Sequence, residues 1–72
     1  MTTTRKTVRA NGYTVEVPAD MASAARHLCK AANDEGVIQA EDMVEVFSEP
    51  TMHTTMTIGM AISALGGELI TD

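Results

Sequence analysis

Two strand-like runs, Lys6 to Ala10 and Tyr13 to Val17, meet at Asn11-Gly12, and no other feature restricts the fold of this chain so tightly. Asn-Gly is a two-residue connection suited to a type I′ turn, whose positive φ angles match the twist of the strands it joins. With that turn, Ala10 faces Tyr13, Val8 faces Val15 and Lys6 faces Val17. Side chains alternate along a strand, so Val8, Ala10, Tyr13, Val15 and Val17 share one face, and Thr7, Arg9, Thr14 and Glu16 share the other. A lone hairpin is marginal in water, so its apolar face must lie on helices.

Helical periodicity supplies those helices. Pro18 ends the second strand and Ala19-Asp20 opens a helix, with Asp20 as N-cap or as an early acid near the positive end of the dipole. Met21, Ala24, Ala25, Leu28 and Ala32 recur at helical spacing as its buried stripe, whereas Arg26, His27 and Lys30 fall elsewhere and are expected in solvent. Asn33-Asp34-Glu35-Gly36 is the stop, with Gly36 as the left-handed residue past the helix end. Gln39 to Ser48 is expected as a second helix, because Ala40, Met43, Val44 and Phe47 repeat at i, i+3, i+4 and i+7. A strand through residues 43–47, which alternates in part, is the competing assignment.

The stretch from Met52 to Leu65 carries no Asp, Glu, Lys or Arg. A segment apolar on every side is buried on more than one face, and this one is too short to span a bilayer. Thr54, Thr55 and Thr57 favour a strand. Against them, Met52, Met56, Gly59, Met60 and Ser63 form one helical stripe, and Ile58, Ala61, Ile62 and Leu65 form a second. A helix is preferred, entered from Pro50 and Thr51, frayed at its threonine-rich start and closed by Gly66. Gly59 costs about 1 kcal/mol relative to Ala there, which points to close approach of another backbone, within the fold or across a dimer. Glu68 to Thr71 adds a short strand to the hairpin. The expected fold is therefore α+β, an N-terminal hairpin packed on two or three short helices, with residues 1–5 a disordered tail and residues 6–72 a single domain.

At 72 residues such a domain buries only about 60% of the surface its unfolded chain exposes. Cys29 is the single cysteine, so no disulfide within the chain offsets that marginal stability, as befits a reducing compartment. MTTTRKT has no apolar run of signal-peptide type and no stretch is long enough for a membrane span, so the cytoplasm of the producing or host cell is the expected location. Six methionines against one tyrosine and one phenylalanine make the core adaptable.

Charge is split along the chain. All five cations, Arg5, Lys6, Arg9, Arg26 and Lys30, fall in residues 1–30, where Glu16 and Asp20 leave a net of +3; residues 31–72 carry Asp34, Glu35, Glu41, Asp42, Glu45, Glu49, Glu68 and Asp72, a net of −8. The second half should repel nucleic acid and attract basic surfaces.

Three motifs bear on chemistry. Residues 33–47, NDEGVIQAEDMVEVF, resemble the second half of an EF-hand, with Gly36 at the sharp turn, Ile38 at the apolar position and Asp42 at the last carboxylate. The resemblance implies Asn33 and Glu35 as further ligands, but Ala31 stands at the first ligand position, so a plain helix-glycine-helix connection explains the same letters. The helix, Ser48-to-Thr51 turn, helix order and the run ISALGGEL resemble the helix-turn-helix of phage-repressor-like DNA-binding domains. Neither helix offers a Lys or Arg to phosphate or base edges, so nucleic acid is not the expected partner. His27 and Cys29 sit two apart on a helix and cannot face one another, and with only His53 besides, no zinc motif is complete. No catalytic, cofactor or metal site is expected.

The function expected is a non-catalytic acidic module that binds a basic protein surface through Asp34, Glu35, Glu41, Asp42, Glu45 and Glu49. Small acidic inhibitors made by phages and mobile elements, anti-CRISPR proteins among them, are similar in size and charge. The alternative is a self-assembling structural module, with an oligomer seam at Met52, Met56, Gly59 and Met60, and a further alternative is a helix-turn-helix-like DNA-binding regulator.

Overall fold

Asn11 and Gly12 take φ of +52° and +83°, the pair of positive values a type I′ turn requires. The two strands they join, β1 (Arg5–Ala10) and β2 (Tyr13–Pro18), pair antiparallel with Ala10 opposite Tyr13, Val8 opposite Val15 and Lys6 opposite Val17, the register expected from the alternation. The computed structural model describes residues 4–47 and 55–70. Beyond the hairpin come a 3₁₀ turn (Ala19–Met21), α1 (Ala22–Ala31), β3 (Val37–Ile38), α2 (Ala40–Phe47), β4 (Met56–Thr57), α3 (Ile58–Ala64) and β5 (Glu68–Ile70). The fold is α+β. β5 adds to the hairpin through β2, giving an antiparallel sheet of order β1-β2-β5, and β3 and β4 form a second, two-stranded sheet.

The hairpin face and the helices close one core. Val8, Val15 and Val17 are buried from the sheet; Ala25, Leu28, Cys29 and Ala32 from α1 and its end; Ile38 and Met43 from β3 and α2; and Ile58, Ala61, Ile62 and Leu65 from α3 and its end. On the outer face β2 and β5 set Glu16 opposite Glu68, a like-charge pair that is unfavourable by itself. Arg5 offsets it: Nε donates to Glu16 Oε1 at 2.9 Å, and the guanidinium also donates to the backbone carbonyls of Glu16 and Gly66. Arg5 therefore belongs to the strand rather than to a tail, and the carbonyl of Thr4 accepts from Ala19 N–H at 2.8 Å.

Several expected boundaries move. Asp20 is not an N-cap: Pro18 directs the chain into the 3₁₀ turn, α1 starts only at Ala22, and no side chain caps it. Gly36 does not end α1. The chain leaves the helix at Ala32 in extended conformation, and Gly36, with φ +74°, instead completes the Asn33–Gly36 turn that feeds β3. Residues 43–47 are helical, which decides against the strand. The buried line of α2 differs from the expected one, since Val44 is exposed while Val46 is half-buried beside Met43.

The largest correction is at the apolar stretch. Its helix spans Ile58–Ala64 and not residues 52–65. Met56 and Thr57 form β4, with Thr57 opposite Val37 and Met56 opposite Ile38, so the strand preference of the threonine-rich start prevails where β3 supplies a partner. Thr57, and not Thr51, is the N-cap: its hydroxyl oxygen accepts from Met60 N–H. Thr51 and Met52 lie outside the described residues. The C-terminal closure is as expected, with Gly66 at φ +85°. Gly66 N–H donates to Ser63 and Gly67 N–H to Ile62, the paired bonds of a Schellman motif.

Candidate functional site

α2 turns Met43 into the core with Ala40, Val46 and Phe47 beside it, which leaves Glu41 and Glu45 exposed one turn apart and Asp42 half-buried at the border with α1. Asp34 and Glu35 are exposed in the turn before β3. Glu49 lies outside the described residues. Five of the six carboxylates expected to contact a partner are thus placed, on α2 and on the loop that enters β3.

Two of them, Asp42 and Glu45, stand beside a histidine of α1. His27 projects from α1 toward α2, with Nε2 3.8 Å from Asp42 Oδ1 and 3.8 Å from Glu45 Oε2. These separations exceed a hydrogen bond, and Nε2, out of contact with solvent, has no hydrogen-bond partner among the described residues. The expectation that His27 is solvated is therefore wrong for its distal nitrogen. The imidazole continues the half-buried line Ala24, His27, Ala31 along the flank of the α1 core stripe. That spacing of i, i+3 and i+7 was the available signal; the element facing it was not readable.

Asn33 has a structural use. Its Oδ1 accepts from Glu35 N–H at 2.8 Å and from Val37 N–H at 3.1 Å, forming an Asx-type turn, and its carbonyl accepts from the Tyr13 hydroxyl. Its side-chain oxygen is thus committed to the backbone, and Asp42 is gathered with His27 and Glu45 rather than with Asn33 and Glu35. The EF-hand resemblance describes the turn and not an assembled calcium loop.

The chain matches no protein-family model, no curated protein and no solved structure.

The helix-turn-helix resemblance loses its geometry. The strand β4 (Met56–Thr57) stands between α2 and α3, whereas that motif joins its helices directly by a turn of about 3–4 residues. Of the residues of the expected oligomer seam, Met52 lies outside the described residues. Met56 is in β4 and half-buried, Gly59 and Met60 are on α3, and only Met60 is strongly exposed, at 61%. A Cβ at Gly59 would meet no atom within 4 Å, so no backbone of the described residues makes the close approach expected there. Gly67 makes it instead, packed on Glu16 and Val17. Among the described residues no helix is long and apolar enough to cross a membrane.

Cys29, on α1, is fully buried and unpaired. Burial pushes its thiol above the ordinary range by desolvating the thiolate, which is the environment of a packing residue and not of a nucleophile.

Proposed function

We propose that this chain is a non-catalytic protein-binding module, a stoichiometric inhibitor or regulator of the kind phages and mobile elements produce, which engages a basic protein surface. The observation that carries the proposal is that Asp34, Glu35 and Glu41 are exposed and, among the described residues, Arg5–Glu16 is the one bridge between a Lys or Arg and a carboxylate. Exposed negative charge left without an internal counter-ion steers association with a basic partner and disfavours acidic ones. A basic surface that normally holds nucleic acid meets this description.

The test compares the full chain with the triple variant Asp34→Lys, Glu35→Lys, Glu41→Lys as bait for host-cell proteins. The wild-type chain should retain a basic protein in equimolar amount, lose it as salt rises, and fail to retain it after charge reversal. Retention of the same protein by the triple variant would overturn the proposal.

Met60 supports a second reading, self-assembly through the outer side of α3, because a methionine 61% exposed next to Gly59 leaves an apolar, sterically open strip. Light scattering over a range of concentrations and salt decides it: a salt-insensitive dimer that Met60→Lys dissociates supports assembly, and a monomer throughout excludes it.

A further inference from the structure

We infer that His27, Asp42 and Glu45 form a binding site for a single divalent transition-metal ion, zinc being the best match. One imidazole nitrogen and two carboxylate oxygens, each from a different side chain, come within 4.8 Å of one another across the α1–α2 contact. Asp42 and Glu45 are three apart on α2, hence on one face, and His27 approaches that face from the other helix. An imidazole with two carboxylates is a donor set that zinc accepts, with a fourth position left to water. The mixed set argues against magnesium or calcium, which take oxygen ligands.

The second observation is the state of His27 Nε2. It is screened from solvent yet has no hydrogen-bond partner among the described residues, although two carboxylates stand at 3.8 Å. A buried polar atom left unpaired is costly, and an ion between the three groups satisfies nitrogen and carboxylates together. Ligand atoms at roughly 2.0–2.2 Å from a four-coordinate ion lie about 3.4 Å apart, so the His27 distances need to close by roughly 0.4 Å. Glu45, with its side chain 71% exposed, has the rotamer freedom for the larger adjustment. Asp42, only 30% exposed, and His27 are the pre-positioned pair. This site is independent of the partner-binding proposal, which rests on Asp34, Glu35 and Glu41.

The experiment uses the full chain without an affinity tag, stripped of metal and titrated with zinc chloride by calorimetry, with magnesium and calcium chloride in parallel arms and thermal melting as a second readout. Expected are one zinc per chain, a rise in Tm of roughly 5 °C or more at saturation, and affinity weakened about tenfold or more by His27→Gln and by Asp42→Asn. His53→Gln, which alters the other histidine of the chain, should bind like the wild type. Circular dichroism confirms folding of each variant; Glu45→Gln, at the most exposed ligand, serves as a further variant that keeps the fold. The inference is overturned if the folded wild-type chain takes up no zinc, if zinc binding survives both His27→Gln and Glu45→Gln unchanged, if His53→Gln abolishes it, or if magnesium or calcium binds more tightly than zinc.

Discussion

The side-chain amide of Asn11, at the tip of the hairpin, donates to the carbonyl of Ala32, at the end of α1, over 2.8 Å. It also donates to the carbonyl of Cys29 at 3.1 Å. The last carbonyls of a helix have no partner within it, so one residue supplies both the positive φ of the turn and two donors to a helix C-terminus. The hairpin tip and the end of α1 are thereby tied together, and Val8, Val15 and Val17 of the sheet share one core with Ala25, Leu28 and Cys29 of α1.

Two substitutions at Asn11 separate these roles. Asn11→Gly keeps the turn conformation and removes only the donors, so it should cost about 1–2 kcal/mol. Asn11→Asp puts a carboxylate against two carbonyls at the negative end of the α1 dipole and should cost more. Urea denaturation checks the order: Asn11→Asp should be the less stable of the two at neutral pH, and the gap should narrow at about pH 3, where the introduced carboxyl is largely protonated.

Gly67 and Gly59 should respond in opposite directions to alanine. A Cβ at Gly67 would overlap the Glu16 carbonyl oxygen and Val17 Cγ1, and relief requires β2 and the chain entering β5 to separate. The expected loss is about 1–3 kcal/mol, read as a lower Tm. At Gly59 the space is open and the helical backbone suits alanine, so Gly59→Ala should gain about 0.5 kcal/mol. Equal effects at the two sites would contradict the packing of β5 on β2.

Stability should fall at alkaline pH through Cys29. Folding disfavours its thiolate, so the folded-state value lies above the ordinary value of 9.0. The contribution is fully present below pH 9.0 and is lost as pH rises beyond it, because there the unfolded chain releases the proton and the folded chain retains it. Denaturation of the wild type and of Cys29→Ala between about pH 8 and pH 10.5 isolates this contribution. The wild type should lose stability more steeply, and its thiol should resist alkylation until the chain unfolds.

What the amino-acid order determined by itself is the part of this protein whose physics is local. The hairpin register follows from Asn11-Gly12 and a period of two, both contained within residues 6–17. The core stripe of α1 and the helical state of α2 follow from the helical period, and the closure of α3 follows from the left-handed freedom of Gly66. Where local preferences conflicted, tertiary structure decided. Residues 56 and 57 suit helix and strand alike, and pairing with Val37 and Ile38 makes them a strand, a contact made across the 17 residues of chain between Ile38 and Met56. Val44 and Val46 carry the same side chain, and only the docking angle of α2 exposes the first and half-buries the second. Likewise the sequence places His27 on one helix and Asp42 and Glu45 on another, with nothing to join them. Their meeting depends on how α1 and α2 pack, because proximity between distant residues is set by the shape of the shared core and not by either helix alone.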